Sequence, residues 1–443
     1  MRVLFDSCVY DLRNKGNVAM LQTAVNRIHD FWPEATLNVI TSAPYLIRLY
    51  FPNARPVSEA GIDYWTENRN TFSVIFQRMP RLLLKLMLET REPLRQRVHR
   101  NKPELVISKT ASLDIQNSPK SQVSDSESNR VSFSSFNPKT LEKMDLYIAT
   151  GGHYLADHMN YQVLAVLDRL ELATQFGMPT IMVSQGIGPI KDPRLCEKAR
   201  SVLPKVDLFL IRENLEGPGI LKDLGVDPSR VIVAGDDAVE MTYKQASRRM
   251  GKHIGLGFRV APTTEATAAH MDVLRLVLRE ATAKYKCQLI GLPVSQSAHE
   301  LDRKIIEHIS TGSRLRRSFL QSLSNPSKVI KDTGLCRVVI TGTYHTAVFA
   351  LSQGIPVIGL VKSDHYHIKF TGLADQFKGG MEVFLLDDDN LHDKLLTAID
   401  KAWKSAGELK PSLLQAAERQ IKSGLDGYKR IYEIYTAKHE TLE

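Results

Sequence analysis

The segment that most constrains the fold is residues 338–360, where two apolar runs flank a glycine turn and an apolar helix pattern. Apolar runs of this length, separated by a helix pattern, are typical of buried parallel strands. The segment therefore predicts a βαβ unit in an α/β domain. Thr343, Tyr344 and His345 follow the first strand, and open α/β sheets bind ligands beyond the carboxyl ends of their strands.

The helix that begins after Gly342 gives this strand end a defined chemistry. Free N–H groups and the positive end of the helix dipole suit a phosphate or a carboxylate. His345 beside such a site is a candidate acid or base. The alternative, that His345 only caps the helix or packs, stays open at this point.

Composition limits the class of protein. A chain of 443 residues exceeds one compact core and indicates two or three domains. The formal net charge of +9 suits an anionic small molecule, a nucleic acid or an acidic membrane, without choosing among them. The four cysteines lie far apart, which argues against a zinc site or a disulfide framework. With no signal-peptide pattern and no apolar run of about 18 residues, we expect a cytoplasmic protein.

Strand, loop and helix patterns alternate along both halves of the chain. They predict two doubly wound, Rossmann-like α/β domains that face each other across a cleft. We place the first domain at 1–241 and the second at 250–405, with a hinge in the polar interval between them. The helical segment 406–443 is expected to brace the first domain.

Two segments of the first half are predicted to lie outside the packed core. Ten serines fall between residues 108 and 135, and 108–140 is expected to be a disordered insertion. Residues 78–100 form a helix pattern rich in leucine and arginine. This helix is a candidate for peripheral contact with an anionic membrane, and a packed helix with a solvated basic face is the alternative.

Glycines and polar residues follow the predicted strands of the first half and should line one crevice if the sheet is parallel. A loop with Gly16 and Asn17 precedes a helix pattern and is a second candidate anion site, with a plain turn as its alternative. The other residues at strand ends are Gly151, Gly152, His153, Gln185, Gly186, Gly188, Arg212 and Asp236.

Taken in order, these motifs resemble those of the polysaccharide pyruvyl transferases, which transfer pyruvate from phosphoenolpyruvate to a sugar as a ketal. The resemblance covers nearly the whole chain apart from the serine-rich insertion. Its residues are Lys15-Gly16-Asn17, Gly151-Gly152-His153, Gln185-Gly186-Ile187-Gly188-Pro189, Arg212-Glu213, Asp236-Asp237-Ala238, Thr343-Tyr344-His345 and Lys369.

The resemblance implies a glycosyltransferase-B-like fold and a transferase with phosphoenolpyruvate as donor. The acceptor would be a sugar or glycan, free or lipid-linked, and no cofactor, metal or nucleic acid is expected. His345, Lys369 and Arg212 would be catalytic. The implied substrate-binding residues are Gly16, Asn17, Gly151, Gly152, His153, Gln185, Gly186, Gly188, Asp236, Thr343 and Tyr344.

The chain departs from the family pattern at four positions. Asn17 replaces an acidic residue, His153 a glycine, Glu216 a serine and Thr343 an arginine. Loss of an arginine matters most, because threonine cannot pair bidentately with an anion. The residues that lie near enough in sequence to compensate are Arg259, Lys362, His365 and His367.

Two other functions remain open from the sequence. One is a glycosyltransferase of the same architecture that uses a nucleotide-sugar donor. The other is a non-catalytic sugar- or membrane-binding relative, which the four departures suggest. His365 and His367, at i, i+2 spacing, would share one face of a strand, and a metal there would need a third ligand.

Overall fold

The computed structural model describes residues 1–61, 136–261, 263–296, 302–316 and 325–440. The helix predicted at 78–100 and the serine-rich stretch 108–135 lie outside the described residues. Residues 136–140 of the predicted insertion are structured, which corrects its boundary. Phe136 is buried, and helix α3 begins at Pro138 under the cap of Asn137.

The first sheet holds eight strands within the described residues, and every pairing is parallel. Its order is β3-β2-β1-β4-β6-β7-β8, with β5 paired to β6. The strands are β1 (Arg2–Asp6), β2 (Thr36–Ile40), β3 (Ala54–Val57), β4 (Leu146–Ala149), β5 (Gly152–Leu155), β6 (Thr180–Ile187), β7 (Leu208–Ile211) and β8 (Val231–Val233).

Helices cover both faces of this sheet, and each face has its own apolar core. A parallel sheet needs this double cover because its strands are apolar on both sides. The helices are α1 (Lys15–Phe31), α2 (Pro44–Tyr50), α3 (Pro138–Leu141), α4 (Asn160–Gln175), α5 (Pro193–Val202), α6 (Gly217–Asp223) and α7 (Ala238–Tyr243).

The second sheet has six parallel strands among the described residues, in the order β11-β10-β9-β12-β13-β14. The strands are β9 (His253–Gly257), β10 (Leu289–Gly291), β11 (Leu315–Arg316), β12 (Cys336–Thr341), β13 (Val357–Val361) and β14 (Met381–Leu385). The helices are α8 (Ala268–Lys284), α9 (Asp302–Ile309), α10 (Pro326–Thr333), α11 (Tyr344–Leu351) and α12 (Asp364–Gln376). The predicted βαβ unit is present as β12, α11 and β13.

These two sheets confirm the predicted fold class of two Rossmann-like α/β domains. One local expectation is wrong. His365, His367 and Lys369 lie on helix α12, because the Ser363 hydroxyl accepts from the Tyr366 N–H and caps a helix there. His365 and His367 therefore do not share a face: His365 is buried and His367 is exposed.

The last helix, α13 (Leu391–Glu440), connects the two sheets. It begins with the second domain, where Leu395 and Ile399 are buried, and not near residue 406 as expected, and Pro411 lies inside it. Its second half packs against the first domain, where the Tyr428 hydroxyl donates to Asp237 at 2.9 Å. Among the described residues, no helix is both long and apolar enough to cross a membrane.

Candidate active site between the two domains

The centre of the site is Asp236, a buried carboxylate that follows strand β8 of the first domain. Arg212, which follows β7, places Nη1 3.1 Å from Asp236 Oδ2. His345, from the first turn of α11 in the second domain, places Nε2 3.7 Å from the same oxygen. A guanidinium and an imidazole from different domains thus converge on one carboxylate.

Gly16 allows this approach. A Cβ at Gly16 would lie 2.0 Å from His345 Cγ, closer than any side chain allows. Gly16 sits in the first turn of α1, where the Asn14 side chain accepts from the N–H groups of Gly16 and Asn17. The Gly16 loop, predicted as an anion site, is therefore the surface on which the His345 ring packs.

His153, on strand β5, also contacts the Arg212 guanidinium. Its Nε2 lies 2.5 Å from the Gly188 carbonyl, which only accepts, so the ring proton is on Nε2. Its Nδ1 is then an acceptor, 3.4 Å from Arg212 Nη2. Gly186 makes room for both, since a Cβ there would lie 2.2 Å from His153 Nδ1 and 2.5 Å from Arg212 Nη2.

Tyr344 and Tyr366 provide aromatic faces for the two cations of the site. The Arg212 guanidinium lies 4.6 Å from the centre of the Tyr344 ring. Lys369 Nζ lies 4.8 Å from the Tyr366 ring and 6.0 Å from the Tyr344 ring. A cation over an aromatic face is stabilised by the ring quadrupole. Arg212 and Lys369, distant in sequence, therefore share one aromatic wall.

Two more histidines extend the site. His365 Nε2 lies 3.0 Å from Lys369 Nζ. The His365 ring centre is 4.6 Å from that of His153 and 3.9 Å from that of His158. A cavity of about 480 Å³ adjoins them, lined by His158, Thr263, Glu265, Lys362, Ser363, Asp364 and His365.

Burial keeps these imidazoles neutral. It lowers the pKa of His345 to about 3, with Asp236 opposing the shift and the cations Arg212 and Lys369 adding to it. Burial and then the charge of Lys369 lower the pKa of His153 well below its ordinary value, and that of His365 likewise. Neutral imidazoles retain the lone pair that a general base requires.

Several buried polar atoms of the site have no hydrogen-bond partner within the described part of the chain. They include His345 Nε2, His365 Nδ1, Thr343 Oγ1 and Gln185 Oε1. An unsatisfied buried polar group costs about 1–3 kcal/mol. Such atoms, grouped beside two cations, indicate a place where a ligand supplies the partners.

Comparison with known families identifies the chain. A family model described as polysaccharide pyruvyl transferase matches residues 14–364. The chain belongs to this family. The resemblance inferred from the motifs is thereby confirmed, and the protein is a transferase. A comparison with curated proteins finds no match.

Several solved structures share the fold of this member of the pyruvyl transferase family. The UDP-GlcNAc 2-epimerase of Methanocaldococcus jannaschii has a TM-score of 0.52 at 9% identity, over 95% of this chain and 99% of that one. S. aureus MnaA, solved with UDP, has a TM-score of 0.51 at 14% identity, over 98% of this chain and 95% of that one. Anabaena HepE, also solved with UDP, has a TM-score of 0.51 at 10% identity, over 99% of this chain and 100% of that one. At these identities the similarity concerns the two-domain architecture alone.

Some residues predicted to bind substrate also have internal contacts. A Cβ at Gly151 would lie 2.6 Å from Met20 Sδ, and one at Gly152 would lie 2.7 Å from Tyr154, so both glycines serve packing. The Gln185 amide donates to the carbonyl groups of Ala149 and Thr150. These three residues support the loop beside the site.

Of the residues considered as replacements for the missing arginine, His365 contacts Lys369 in this cluster, Lys362 lines the adjoining cavity, and the charge of Arg259 acts on His345. Arg259 pairs with Asp302, and Lys362 pairs with Asp387. His158 was not predicted as a site residue, because its proximity to His365 depends on how the two domains face each other. Among the described residues, no group of three or more His, Cys, Asp or Glu is arranged to hold a metal ion.

Proposed function

We propose that this protein transfers the pyruvyl group of phosphoenolpyruvate to two hydroxyls of a sugar or polysaccharide precursor, forming a ketal. One observation carries the proposal: His345, Arg212 and Lys369, from two domains, surround one cleft in a chain of the pyruvyl transferase family. His345 Nε2, the atom suited to proton transfer, has no hydrogen-bond partner there.

The donor needs groups that bind a carboxylate and a phosphate. Arg212 and Lys369 supply two cations, and the N-terminus of α11 supplies backbone N–H groups beside them. Asp236 takes up part of the charge of Arg212, so it also keeps the guanidinium in place when the cleft is empty. Preorganised charges of this kind act most strongly in a buried site.

The reaction balances as follows. C3 of the enol gains a proton, C2 becomes cation-like, and the first sugar hydroxyl attacks C2. Phosphate then leaves with the C2–O bond electrons, and a second hydroxyl closes the ketal. The two hydroxyl protons end on C3 and on the phosphate, so no redox partner is required.

His345 is suited to remove a hydroxyl proton. It is neutral, and the carboxylate of Asp236 lies 3.7 Å from its Nε2, where it stabilises the imidazolium that forms. General base catalysis by a positioned histidine contributes on the order of 10²–10⁴-fold. A donor anion in the cleft raises the basicity of His345 further, because it offsets the charges of Arg212 and Lys369.

Phosphate release on mixing the protein with phosphoenolpyruvate and a panel of sugars, free and lipid-linked, tests this function. We expect release that depends on the acceptor, and a methyl singlet of the ketal in the NMR spectrum of the product. UDP-sugars are the comparison arm, because MnaA and HepE, which share the fold, were solved with UDP. Turnover of a UDP-sugar without turnover of phosphoenolpyruvate would replace the proposal with a glycosyltransferase.

A further inference from the structure

His365 is a histidine of the cleft with one ring nitrogen in contact with a cation and the other without a partner among the described residues. The residue is 8% exposed, and its ring contacts the rings of His153 and His158. Its Nε2 contacts Lys369 Nζ at 3.0 Å, one helical turn along α12. Its Nδ1 is buried and has no hydrogen-bond partner among the described residues.

The contact with Lys369 fixes the tautomer. An ammonium group has three donors and no acceptor, so Nε2 of His365 must be the acceptor. A neutral imidazole with a lone pair on Nε2 carries its proton on Nδ1. The unpartnered atom is therefore an N–H donor, and the group that would satisfy it is an acceptor.

The charge of the cleft indicates what kind of acceptor. Arg212 is paired with Asp236, and Thr343 occupies a position where the family pattern has an arginine. Phosphoenolpyruvate carries a carboxylate and a phosphate, whose five terminal oxygens accept many hydrogen bonds. The Nδ1–H of His365, buried and unpartnered among the described residues, is a donor for one of them beside the Lys369 ammonium, in addition to the backbone N–H groups at the start of α11.

We propose that His365 is a donor-binding residue whose Nδ1–H bonds to an oxyanion of phosphoenolpyruvate, in place of the arginine absent at position 343. This inference rests on the proposed function for the identity of the ligand. It assigns to His365 a direct contact with the ligand, beyond its contact with Lys369.

The electrostatic surroundings of His365 favour this role for a neutral ring. The groups that face it are Lys369 on its own helix, His153 and His158 from β5 and the turn after it, Arg212 after β7, and Glu265, Lys362 and Asp364 around the cavity. Burial and the charge of Lys369 lower the pKa of His365. A neutral ring donates through Nδ1 without the need to gain a proton.

Two substitutions separate ligand binding from the support of Lys369. His365→Asn places an amide N–H near the position of Nδ1 and loses the acceptor for Lys369. His365→Gln places its amide near the position of Nε2, retains an acceptor for Lys369 and loses the Nδ1 donor. Isothermal titration with phosphoenolpyruvate is the readout, after thermal unfolding has shown that both variants are folded.

We expect the Gln variant to raise the Kd for phosphoenolpyruvate by about 10- to 100-fold, the usual range for a lost hydrogen bond to a charged group. The Asn variant should stay within about 3-fold of the wild type, well inside that range. The reverse order would show that His365 acts only by positioning Lys369. Equal affinities in the two variants, whether retained or lost, would also overturn the proposal.

Orthophosphate and pyruvate are the second set of ligands, because each carries one of the two anionic groups of the donor. The group whose binding falls in the Gln variant and not in the Asn variant is the one that His365 contacts. Suppose that the wild type binds orthophosphate but not phosphoenolpyruvate, and that orthophosphate binding falls in the Gln variant and not in the Asn variant. The oxyanion site then stands and the proposed function fails. If the wild type binds none of the three ligands, both fail.

Discussion

Two buried polar clusters of this protein differ in how completely their hydrogen bonds are satisfied. In the first domain, Asp6 accepts from Arg169 Nε at 2.6 Å, from the Tyr147 hydroxyl at 2.6 Å and from the Tyr10 hydroxyl at 3.1 Å. No buried side-chain atom of these four described residues lacks a partner. We call this the Asp6 cluster.

The cleft cluster, made of Arg212, Asp236, His153, His345 and His365, is also buried, but its hydrogen bonds are incomplete. His345 Nε2 and His365 Nδ1 have no hydrogen-bond partner within the described part of the chain. Full satisfaction makes a buried polar network stabilising, and incomplete satisfaction costs free energy. The difference suggests that the Asp6 cluster serves the fold and the cleft cluster serves a ligand, and the following predictions test that division.

The largest expected effect is on catalysis. His345→Ala should lower kcat by about 10²–10⁴-fold, because it removes the proposed base. The thermal midpoint should stay near that of the wild type, since an unsatisfied imidazole adds little to stability. Steady-state phosphate release and thermal unfolding measure the two quantities.

The matched control for His345 is His367→Ala, which removes an exposed histidine from α12. It should leave both kcat and the thermal midpoint unchanged. Near-normal turnover of His345→Ala with a competent acceptor would contradict the assignment of the base.

The second effect is on stability. Asp6→Asn should lower the free energy of unfolding by about 3 kcal/mol, because it leaves the buried Arg169 guanidinium without a counter-charge. Urea unfolding measures this change, and kcat of the folded fraction should be close to that of the wild type.

Glu382→Gln is the control for Asp6, since it breaks an exposed pair with Lys401. Such surface pairs contribute about 1 kcal/mol or less. A drop in kcat of Asp6→Asn beyond its loss of folded protein would show that the Asp6 cluster also takes part in the reaction.

The third effect concerns the glycine beneath the catalytic histidine. Gly16→Ala should cost about 1–3 kcal/mol by overpacking and should also lower kcat, because the new methyl group displaces the His345 ring. Gly219→Ala is the matched control, because its Cβ would meet nothing within 4 Å in helix α6. It should be neutral or stabilise by up to about 1 kcal/mol. Equal behaviour of the two variants would argue against the close packing at Gly16.

The smallest effect is a pH dependence. The fold keeps His158 and His345 neutral, with pKa values of about 4 and about 3, whereas in the unfolded chain they titrate near about 6.5. Between these values the unfolded state binds more protons, so stability is full above pH 6.5 or so and falls as the pH drops. The buried His345 adds up to about 1.4 kcal/mol per pH unit to this slope, and His158 adds less, because it is exposed and solvent screens its neighbours.

Unfolding free energies measured between pH 5 and 7, a window set by about 6.5 for free histidine, test this dependence. His345→Gln should reduce the slope, and His367→Gln should leave it unchanged. A slope that is the same in all three proteins would show that the cleft histidines are not held neutral.

Much of the fold follows from local patterns in the sequence. Apolar runs of strand length separated by helix patterns predict the βαβ unit at 338–360, and it is present as expected. The expectation that His365 and His367 share one face of a strand failed, because a short amphipathic stretch after a buried strand looks the same in either conformation. The Ser363 cap decides it, and a cap is a single hydrogen bond with little weight in a periodicity argument.

The site was predicted in part. Arg212, His345 and Lys369 could be selected because they follow predicted strands on the carboxyl side and match a family pattern. Their roles remain proposals. His158 could not be selected, since its meeting with His365 joins residues of two domains and leaves no local pattern.

By itself, the sequence determined the class of fold, the family and the strand ends that carry polar residues, because each of these follows from motifs and apolar patterns among residues close together in the chain. The tertiary structure alone decided which polar groups are paired and which are left without partners. Asp236 lies between Arg212 and His345, and Gly16 lies under the His345 ring, only because two domains face each other. Hydrogen-bond satisfaction is a property of distances between remote segments, and those distances exist only in the folded chain.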